Sequence, residues 1–310
     1  ATLSAQYDNI TPAPLGMSYT FFNHIHIEKG EFDFTRELKL YFDISEHSDI
    51  SLEDRERLIA ATEAAGLNFE VVKRLPKKNA IVLSLHPIPY THDHKEGYSI
   101  LTEKDNVVVW GHDAAGLFYA LQTVRQLVES GEWQTGLIVD YPRFEYRGVL
   151  IDISRHFRSV DFLKRQIDMM ARLKMNRLHL HLTDAAGWRL EIESYPRLTS
   201  YAACRTPHDW KGWWYGDRQF VDEGTEGASG GYLTKEEARE LVAYAADRYI
   251  TIIPEIEMPG HSDEVLAAYP ELKCTHAPER QGDLCIGKEA TFETMQAILD
   301  EVIEIFPSEY

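Results

Sequence analysis

The alternation of apolar and polar positions predicts a β-sheet in the first 140 residues of the chain. Residues 32–42 alternate as a half-buried strand does, and residues 80–85 form a short run rich in aliphatic side chains. Residues 98–102 and 107–110 are also rich in β-forming residues, and the Asp-Asn pair between them is typical of a hairpin turn.

Two helices are predicted in the same stretch from their caps and their apolar spacing. Ser51 followed by Asp54 has the form of a capping box, and the helix that it opens is expected to end at Gly66. Asp113 is placed to cap the next helix, whose apolar residues over 117–127 recur at helical spacing. Strands and helices in these proportions predict a small two-layer α/β domain over residues 1–140.

The pattern changes at residues 140–143, after which strands and helices alternate. The predicted strands are 148–153, 177–182 and 250–256, and the predicted helices are 159–173, 234–247 and 291–305. Repeated strand-then-helix units predict a parallel sheet or a (β/α) barrel over 141–310. Long connections over 183–233 and 257–290 follow the second and third strands, and such connections build the active sites of barrels.

Composition and charge narrow the class of protein. The 310 residues carry a net charge of −18, and such an acidic surface repels phosphate backbones, so nucleic acid is not an expected partner. No run of 18 apolar residues is present, so no membrane-spanning helix is expected. Of the three cysteines, Cys274 and Cys285 lie close enough in sequence to form a disulfide, but two free thiols are an equally open alternative.

Polar side chains gather where the three predicted barrel strands end. They are Asp152 in the first strand with Arg155 and His156 after it, His179, His181 and Asp184 at the second, and Glu255, Glu257 and His261 at the third. Charged groups at strand ends are costly to bury unless they are paired, and a cluster at one rim favours catalysis. Asp152 and Glu255 could instead serve only to pair with Arg147 or Arg155.

Two groups of residues leave alternatives open. His179 and His181 point the same way from their strand, so they could bind a metal, but we favour interior side chains that are hydrogen-bonded to nearby acids. Tryptophans crowd the second connection, and Trp213 and Trp214 are the pair expected to face a ligand. Their aromatic faces suit sugar rings, although they could simply pack the loop.

Several sequence runs, in order along the chain, resemble β-N-acetylhexosaminidases of glycoside hydrolase family 20. They are residues 96–98 (EGY), 116–123 (GLFYALQT), 140–148 (DYPRFEYRG), 152–157 (DISRHF), 176–184 (NRLHLHLTD), 187–189 (GWR) and 254–261 (PEIEMPGH). The resemblance covers nearly the whole chain. It implies an α/β fold in which a small two-layer domain precedes the first part of a (β/α)8 TIM barrel, with about three of eight βα units present.

The resemblance also implies a reaction. Such enzymes remove terminal β-linked N-acetylglucosamine or N-acetylgalactosamine from oligosaccharides and glycoconjugates, with retention of configuration and without a cofactor or metal. The nucleophile is the substrate's own 2-acetamido oxygen, and the protein supplies a general-acid Glu with an adjacent Asp.

Three positions carry the family's site residues. Arg147 corresponds to the arginine that holds the sugar's 3- and 4-hydroxyls, and a planar fork of donors suits such a pair. Asp184 and His261 correspond to an acid and a histidine beside the general acid, where they would tune its pKa and position. Ala185-Ala186 stands where many members have Asp-Gln, which is a change around Asp184 and not of Asp184 itself.

The resemblance places the Asp-Glu pair at the end of barrel strand four, beyond residue 310. We therefore expect residues 1–310 to be a fragment, or one chain of a nicked protein, inactive by itself and partnered by the remainder of the barrel. The competing hypotheses are a non-catalytic sugar-binding module and a metal-dependent barrel hydrolase that uses His179 and His181. Members of the family are often exported, so a periplasmic, extracellular or lysosomal location is expected.

Overall fold

The structure is a computed structural model, and it describes residues 10–18, 21–22, 25–44, 50–85, 94–131, 133–206, 209–276 and 282–309. The chain forms two compact units. The first comprises Ala1–Arg147, Met169–Met175 and Asp247–Tyr249, and the second comprises Gly148–Asp168, Asn176–Ala246 and Ile250–Tyr310. Within the described residues, every helix is too short or too polar to span a bilayer.

The first unit is built on a seven-stranded mixed sheet. Across the sheet the strands are Gly16–Ser18, Gly136–Asp140, Tyr98–Thr102, Asn106–Gly111, Ala80–Ser84, Leu38–Asp43 and Phe69–Val72. The first four strands pair antiparallel and the last four pair parallel. A separate two-stranded ladder joins Phe21–Phe22 to Ile25–His26. The predicted hairpin of the Tyr98–Thr102 and Asn106–Gly111 strands is confirmed.

Two helices complete the first unit, and their predicted caps are confirmed. The Leu52–Ala64 helix begins after Ser51, whose side chain accepts a hydrogen bond from the Asp54 amide. The Ala114–Ser130 helix begins after Asp113, whose side chain accepts from the Gly116 amide. This second helix packs on the Tyr98–Thr102 and Asn106–Gly111 strands. The sequence therefore places these helix starts correctly, because capping depends on local residues alone.

The strand predicted over residues 32–42 is wrong in its first half. Only Leu38–Asp43 is a strand. The Asp33 carboxylate accepts hydrogen bonds from the backbone amide of Thr35 at 3.0 Å and from its hydroxyl at 2.6 Å, and this local turn interrupts the extended chain. Phe32 and Phe34 are nevertheless buried. The alternation of apolar and polar residues over 32–37 therefore reflects burial and not strand pairing.

The second unit contains three parallel strands in sequence order across their sheet. They are Gly148–Asp152, Arg177–His181 and Thr251–Glu255. The helices that follow them along the chain are Val160–Arg172, Lys235–Ala246 and Glu289–Ile305. This order is that of three consecutive units of a (β/α) barrel. Leu150, on the first strand at the edge of this sheet, is 55% exposed.

The two long connections of the second unit contain short elements. The first holds the ladders Thr183–Asp184 with Gly187–Trp188 and Cys204–Arg205 with Ser229–Gly230, and the short helices Arg197–Ser200 and Trp210–Tyr215. The second holds the helix Asp263–Ala268 and a 3-10 turn, Pro270–Leu272. Both connections therefore fold into defined structure at the carboxyl ends of the strands, where a barrel places its site.

Glu301 fastens the Glu289–Ile305 helix to the first long connection. Its carboxylate accepts from the backbone amides of Glu193 and Ser194 at 2.7 and 2.9 Å, and it pairs with Lys235 at 2.7 Å. Burial raises the pKa of Glu301, but the hydrogen bonds from Lys235 and Ser194 outweigh it and lower the pKa to about 2. Glu301 is therefore a charged anchor of this unit.

We expect Glu301→Gln to lower the free energy of unfolding at pH 7 by about 1–3 kcal/mol, because charge-assisted hydrogen bonds are lost. The pKa is about 2 in the folded chain and 4.5 ordinarily, so this stabilisation is present above pH 4.5 and disappears towards pH 2. Denaturant unfolding from pH 7 to 3 measures both effects. Glu304→Gln on the same helix is the control, because Glu304 is exposed and pairs only at the surface with Arg239. Equal losses in the two variants would contradict the expectation.

Candidate active site

The parallel register places three ionisable side chains in one row at the ends of the barrel strands. Asp152 is the partner of His181, and His181 is the partner of Glu255. Because side chains alternate along a strand, residues paired in this way point to the same side of the sheet. The sequence shows each polar residue separately, but only the register shows that they form a row.

Asp184 lies just beyond this row, and one of its carboxylate oxygens contacts three basic side chains. Its Oδ2 is 2.6 Å from the Arg155 guanidinium, 3.1 Å from His181 Nε2 and 3.4 Å from His261 Nδ1. The Asp184 side chain is only 6% exposed, whereas His261 is 65% exposed. The Asp184 carboxylate is therefore buried, whereas the His261 and Arg155 side chains that contact it reach solvent.

A tight hairpin holds Asp184 in this position. Thr183–Asp184 pairs with Gly187–Trp188, and Ala185 and Ala186 at the turn are both buried. The Ser154 hydroxyl donates to the carbonyl oxygens of Asp184 and Gly187 at 3.1 and 2.9 Å. A Cβ on Gly187 would lie 2.2 Å from an Arg189 nitrogen, so this close approach requires glycine. Small residues at the turn thus let the hairpin pack closely behind the carboxylate.

The pKa values show a charged network around Asp184. Burial lowers the pKa of the His181 ring, but its hydrogen bonds to Asp184 and Glu255 outweigh this effect and raise the pKa to about 9. Burial raises the pKa of Asp184, but the hydrogen bond from His181 and the charges of Arg155 and His261 keep it below the usual value. At neutral pH, Asp184 is therefore an anion held against an imidazolium cation.

His179 and His181 share Glu255, as favoured from the sequence. His179 Nε2 lies 2.7 Å and His181 Nδ1 lies 2.5 Å from Glu255 Oε2. A different set, His181, Asp184 and Glu257, brings potential metal-ligand atoms within 4.8 Å of one another. A cation bound there would have to displace the proton of His181, whose pKa is raised to about 9, because metals bind the neutral ring.

The structure brings together two of the predicted site residues, Asp184 and His261. Arg147 belongs to the first unit, where its guanidinium pairs with Glu96 at 2.8 Å and donates to the Lys174 carbonyl at 2.7 Å. The arginine that contacts Asp184 is Arg155, which also pairs with Asp152 at 2.5 Å. The sequence indicated Arg155 as a possible partner of Asp152, and that pairing is confirmed, but it did not predict the contact between Arg155 and Asp184.

The expectation that Trp213 faces a ligand is corrected by its burial. Trp213 has no exposed surface and packs with Ala186 and Phe220. Its indole N–H donates to the Gln219 carbonyl at 2.9 Å, so both its apolar and its polar parts are used inside the connection. Trp214 is half-buried and lies under the Arg218 guanidinium, which is 3.6 Å from the ring centroid.

The cysteine alternatives are resolved in favour of one disulfide. Cys274 and Cys285 are bridged across eleven positions of the second long connection. Cys204 is free and buried. The bridge lies in the connection that carries His261, so it restrains the same segment of chain that supplies part of the Asp184 cluster.

Glu264, in the short helix after His261, is a buried acid with no side-chain hydrogen-bond partner among the described residues. It has no exposed surface, and neither carboxylate oxygen has a hydrogen-bond partner among the described residues. Burial raises its pKa well above the ordinary value, and the charges of Asp263 and Asp184 add to this rise, whereas its own backbone amide and the charge of Arg189 oppose it. An isolated buried carboxyl group costs stability, whether as an anion or as a neutral acid.

We therefore expect Glu264→Leu to raise the free energy of unfolding at pH 7 by about 1–3 kcal/mol, since it removes an unpartnered buried polar group. Because the folded pKa is raised, Glu264 makes the native chain lose stability as pH rises above its ordinary value of 4.5. The variant should lack that part of the pH dependence. Urea unfolding between pH 5 and 8 measures it, with exposed Glu226→Leu as the control. A loss of stability in Glu264→Leu would show that the carboxyl has a partner.

Two family models match consecutive parts of the chain. The catalytic-domain model of glycosyl hydrolase family 20 matches residues 144–310, which contain the whole Asp184 cluster. The chain belongs to glycosyl hydrolase family 20. The model of domain 2 of the same family matches residues 21–141, so the family 20 likeness extends through the first unit.

The chain is similar to curated hexosaminidases of the family. It is 40% identical over 272 residues to a β-hexosaminidase of Porphyromonas gingivalis, a match that covers 81% of this chain and 32% of that protein. It is 34% identical over 245 residues to the N,N'-diacetylchitobiase of Vibrio harveyi, covering 77% of this chain and 26% of that protein. The chain thus spans about a third of the length of these relatives, or less.

Solved family 20 structures share its fold. A β-N-acetylhexosaminidase from Bacteroides fragilis superposes with a TM-score of 0.73 at 30% identity, over 97% of this chain and 55% of that chain. A mutant Streptomyces plicatus β-hexosaminidase in complex with the product GlcNAc superposes with a TM-score of 0.73 at 33% identity, over 98% of this chain and 58% of that chain. These superpositions support a small α/β domain followed by the first part of a (β/α) barrel as the fold of this chain.

Proposed function

We propose that this protein is a β-N-acetylhexosaminidase that removes terminal β-linked N-acetylglucosamine or N-acetylgalactosamine from glycans and glycoconjugates. The observation that carries the proposal is the buried, ionised Asp184 with Arg155, His181 and His261 on one oxygen. The names of the similar proteins, hexosaminidases and a chitobiase, agree with it.

The proposed reaction needs no enzyme nucleophile. The carbonyl oxygen of the substrate's 2-acetamido group bonds to the anomeric carbon while the bond from that carbon to the leaving oxygen breaks. The leaving oxygen takes a proton from a general acid, and water then opens the oxazolinium ring with net retention. The general-acid Glu, which the resemblance places after a helix like Glu289–Ile305, stays a prediction.

Within this reaction, Asp184 and His261 act together beside the general acid. The Asp184 charge orients the His261 ring from below, and the ring is exposed on the side where a substrate would lie. A fixed carboxylate–histidine pair sets both the protonation state and the position of a neighbouring acid. Because Asp184 is already ionised and held by its partners, its own charge needs no reorientation during the reaction.

We assign the recognition of sugar hydroxyls to Arg155. Its two terminal nitrogens bind Asp152 and Asp184 at 2.5 and 2.6 Å, and its side chain remains 35% exposed. A guanidinium held by two carboxylates keeps a fixed orientation and still offers further N–H donors to a pair of hydroxyls. The assignment of this role to Arg147 also stays a prediction, and the two are separated by the variants described in the Discussion.

The proposal is tested on the native protein with 4-nitrophenyl β-glycosides. We expect hydrolysis of the 2-acetamido-2-deoxy glucoside and galactoside, with release of the monosaccharide, and no comparable hydrolysis of the plain β-glucoside, which lacks the nucleophilic amide. Equal turnover of the plain glucoside would contradict the proposal.

A metal-dependent hydrolase is the second candidate, because His181, Asp184 and Glu257 lie close enough to share a cation. The two functions differ in their response to chelation. A hexosaminidase of the proposed kind keeps its activity after dialysis against EDTA, and the dialysed protein contains no stoichiometric metal. Loss of activity on chelation, with recovery on addition of zinc, would favour the metal hydrolase.

We propose an exported location for the protein, supported by the Cys274–Cys285 disulfide. Disulfides persist in oxidising compartments, whereas cytosolic thiols are kept reduced. Alkylation of the native protein in its cells, followed by mass spectrometry, should find the two cysteines bridged and Cys204 free. Complete alkylation of all three thiols would contradict an exported location.

A further inference from the structure

The short helix Trp210–Tyr215, in the first long connection, carries two half-buried tryptophans close to the Asp184 cluster. Trp210 and Trp214 are four residues apart, so their side chains project from the same side of the helix. Their rings are stacked, with centroids 5.9 Å apart and planes inclined at 20°. Neither ring has a role in the reaction as proposed.

Trp213, between these two residues, fastens the helix to the hairpin that holds Asp184. It has no exposed surface and packs against Ala186 at the turn of that hairpin. The terminal nitrogens of Arg205 donate to the Ala186 and Arg155 carbonyl oxygens at 2.7 and 2.5 Å. The helix and the backbone of Arg155 are therefore both fixed to the same hairpin.

A guanidinium group lies against each ring of the tryptophan pair. The Arg155 guanidinium carbon is 6.0 Å from the centroid of the Trp210 ring. The Arg218 guanidinium carbon is 3.6 Å from the centroid of the Trp214 ring. Indole faces carry a negative potential and attract cations over a range of about 6 Å. The contacts form one continuous run, which we call the aromatic series: Arg155, Trp210, Trp214 and Arg218.

The far end of the aromatic series is fixed to the connection that carries His261. Arg218 Nε donates to the Trp214 carbonyl oxygen at 3.0 Å, and its guanidinium lies 3.4 Å from the Asp263 carboxylate. Asp263 follows His261 by only two residues. Arg155 is thus linked, through two indole rings, to the segment of chain that supplies His261.

The orientation of the Arg155 guanidinium decides what it can bind. Asp152 and Asp184 each hold one terminal nitrogen, at 2.5 and 2.6 Å, but 35% of the side chain is exposed. Its backbone belongs to residues 153–159, which form neither helix nor strand. A guanidinium recognises a pair of hydroxyls through a planar fork of donors, so its plane must be set as well as its position. Contact with an indole ring restrains that plane without using an N–H donor.

We propose that Trp210 is a positioning residue for Arg155, and that Trp214 and Arg218 hold Trp210 in place. Trp210 acts on sugar recognition through Arg155, by restricting the guanidinium to orientations that present its donors to two hydroxyls. This inference rests on the proposed glycosidase function, because the sugar contact of Arg155 belongs to that function. The contact between Trp210 and Arg155 is nevertheless measurable without substrate.

The test compares Trp210→Leu with Trp210→Phe in the native protein. Both variants keep an apolar side chain against the buried core of the connection, but only phenylalanine keeps an aromatic face. Trp210→Leu should raise KM for the 2-acetamido glucoside about three- to tenfold, as expected for one cation–aromatic contact. The kcat should change little, because hydroxyl binding is the same in the ground and transition states. Trp210→Phe should recover most of the loss.

Tyr215→Leu is the matched control, because it replaces an aromatic side chain that is 81% exposed on the same helix. Its KM should equal that of the native protein. A partly unfolded preparation would instead lower kcat and leave KM unchanged, so the two parameters separate positioning from damage to the fold. Equal KM values for Trp210→Leu and Trp210→Phe would overturn the proposal.

A double-variant cycle shows whether Trp210 acts through Arg155. In an Arg155→Ala background, Trp210→Leu should change kcat/KM by less than about twofold, because the group that Trp210 positions is absent. An undiminished loss in that background would mean that Trp210 contacts the sugar itself or only supports the fold. Either result would overturn the positioning role.

Arginine ¹H–¹⁵N spectra of the native protein test the contact without substrate. The Arg155 Nε–H resonance, assigned by its loss in Arg155→Lys, should shift in Trp210→Leu, because the ring current of the indole is removed. It should stay in place in Tyr215→Leu. A resonance that does not move in Trp210→Leu would overturn the proposal. If it moves but the native protein hydrolyses no 2-acetamido glycoside, the glycosidase proposal fails and the positioning of Arg155 by Trp210 stands.

Discussion

Replacing Asp184 with asparagine is expected to reduce kcat/KM of the native protein for a 2-acetamido glycoside by about 10²- to 10³-fold, the range found for the loss of one preorganised electrostatic group. The side chain keeps its size, but the charge that Arg155, His181 and His261 share is lost. The amide also presents two N–H donors to a site already full of donors, and the His261 ring loses the negative charge that lies 3.4 Å from it.

The pH dependence makes this prediction specific. Asp184 is one of the groups that raise the pKa of His181 to about 9, so the pKa should fall in Asp184→Asn. Because the His181 cation is lost above its pKa, the alkaline limb of the kcat/KM profile should move to lower pH. Asp217→Asn, at an exposed aspartate, is the control and should match the native profile. An Asp184→Asn enzyme within twofold of native activity would refute this role for Asp184.

Arg155→Ala is expected to lose about 10²-fold or more in kcat/KM, because it removes the proposed contact to sugar hydroxyls and leaves Asp152 and Asp184 without their guanidinium. Arg155→Lys should recover only part of the loss, since an ammonium cannot make the same forked contacts. Steady-state kinetics with the 2-acetamido glucoside measure both variants.

Arg147→Ala separates the two arginine assignments. Arg147 pairs with Glu96 in the first unit, so its removal should lower stability and leave kcat/KM largely unchanged below the melting temperature. Arg165→Ala, on an exposed helix face, is the control for the loss of one positive charge. If Arg147→Ala lost activity and Arg155→Ala did not, the sugar contact would belong to Arg147.

The local features of this fold were predictable, whereas the assembly of its site was predictable only in part. Helix starts at Ser51 and Asp113 follow from residues two or three positions away. The strand register that aligns Asp152, His181 and Glu255 depends on pairing between residues about 30 to 70 positions apart, which no local pattern encodes. The strand Gly136–Asp140 was not predicted, because its aliphatic run is only three residues long (Leu-Ile-Val), shorter than the run over 80–85 that was predicted.

The tryptophans and arginines of the site also show that local sequence patterns do not predict which residues meet in the folded chain. Aromatic residues are common both in loop cores and in sugar sites, so composition could not reveal that Trp213 has no exposed surface. Arg147 and Arg155 lie eight residues apart on either side of the first barrel strand, and each lies within one of the runs that resemble family 20. Only the position of Asp184 Oδ2, 2.6 Å from Arg155, shows which of them belongs to the Asp184 cluster.

The central claim is that the substrate's own acetamido oxygen attacks beside an ionised Asp184. Its most direct test is a series of 4-nitrophenyl β-glucosaminides in which the N-acetyl group carries none, one, two or three fluorine atoms, assayed with the native protein. Each fluorine withdraws electrons from the amide oxygen and weakens it as a nucleophile. The account predicts that kcat/KM falls at every step, by at least about tenfold over the series. A kcat/KM that stays constant across the four substrates would contradict it, because the nucleophile would then belong to the protein.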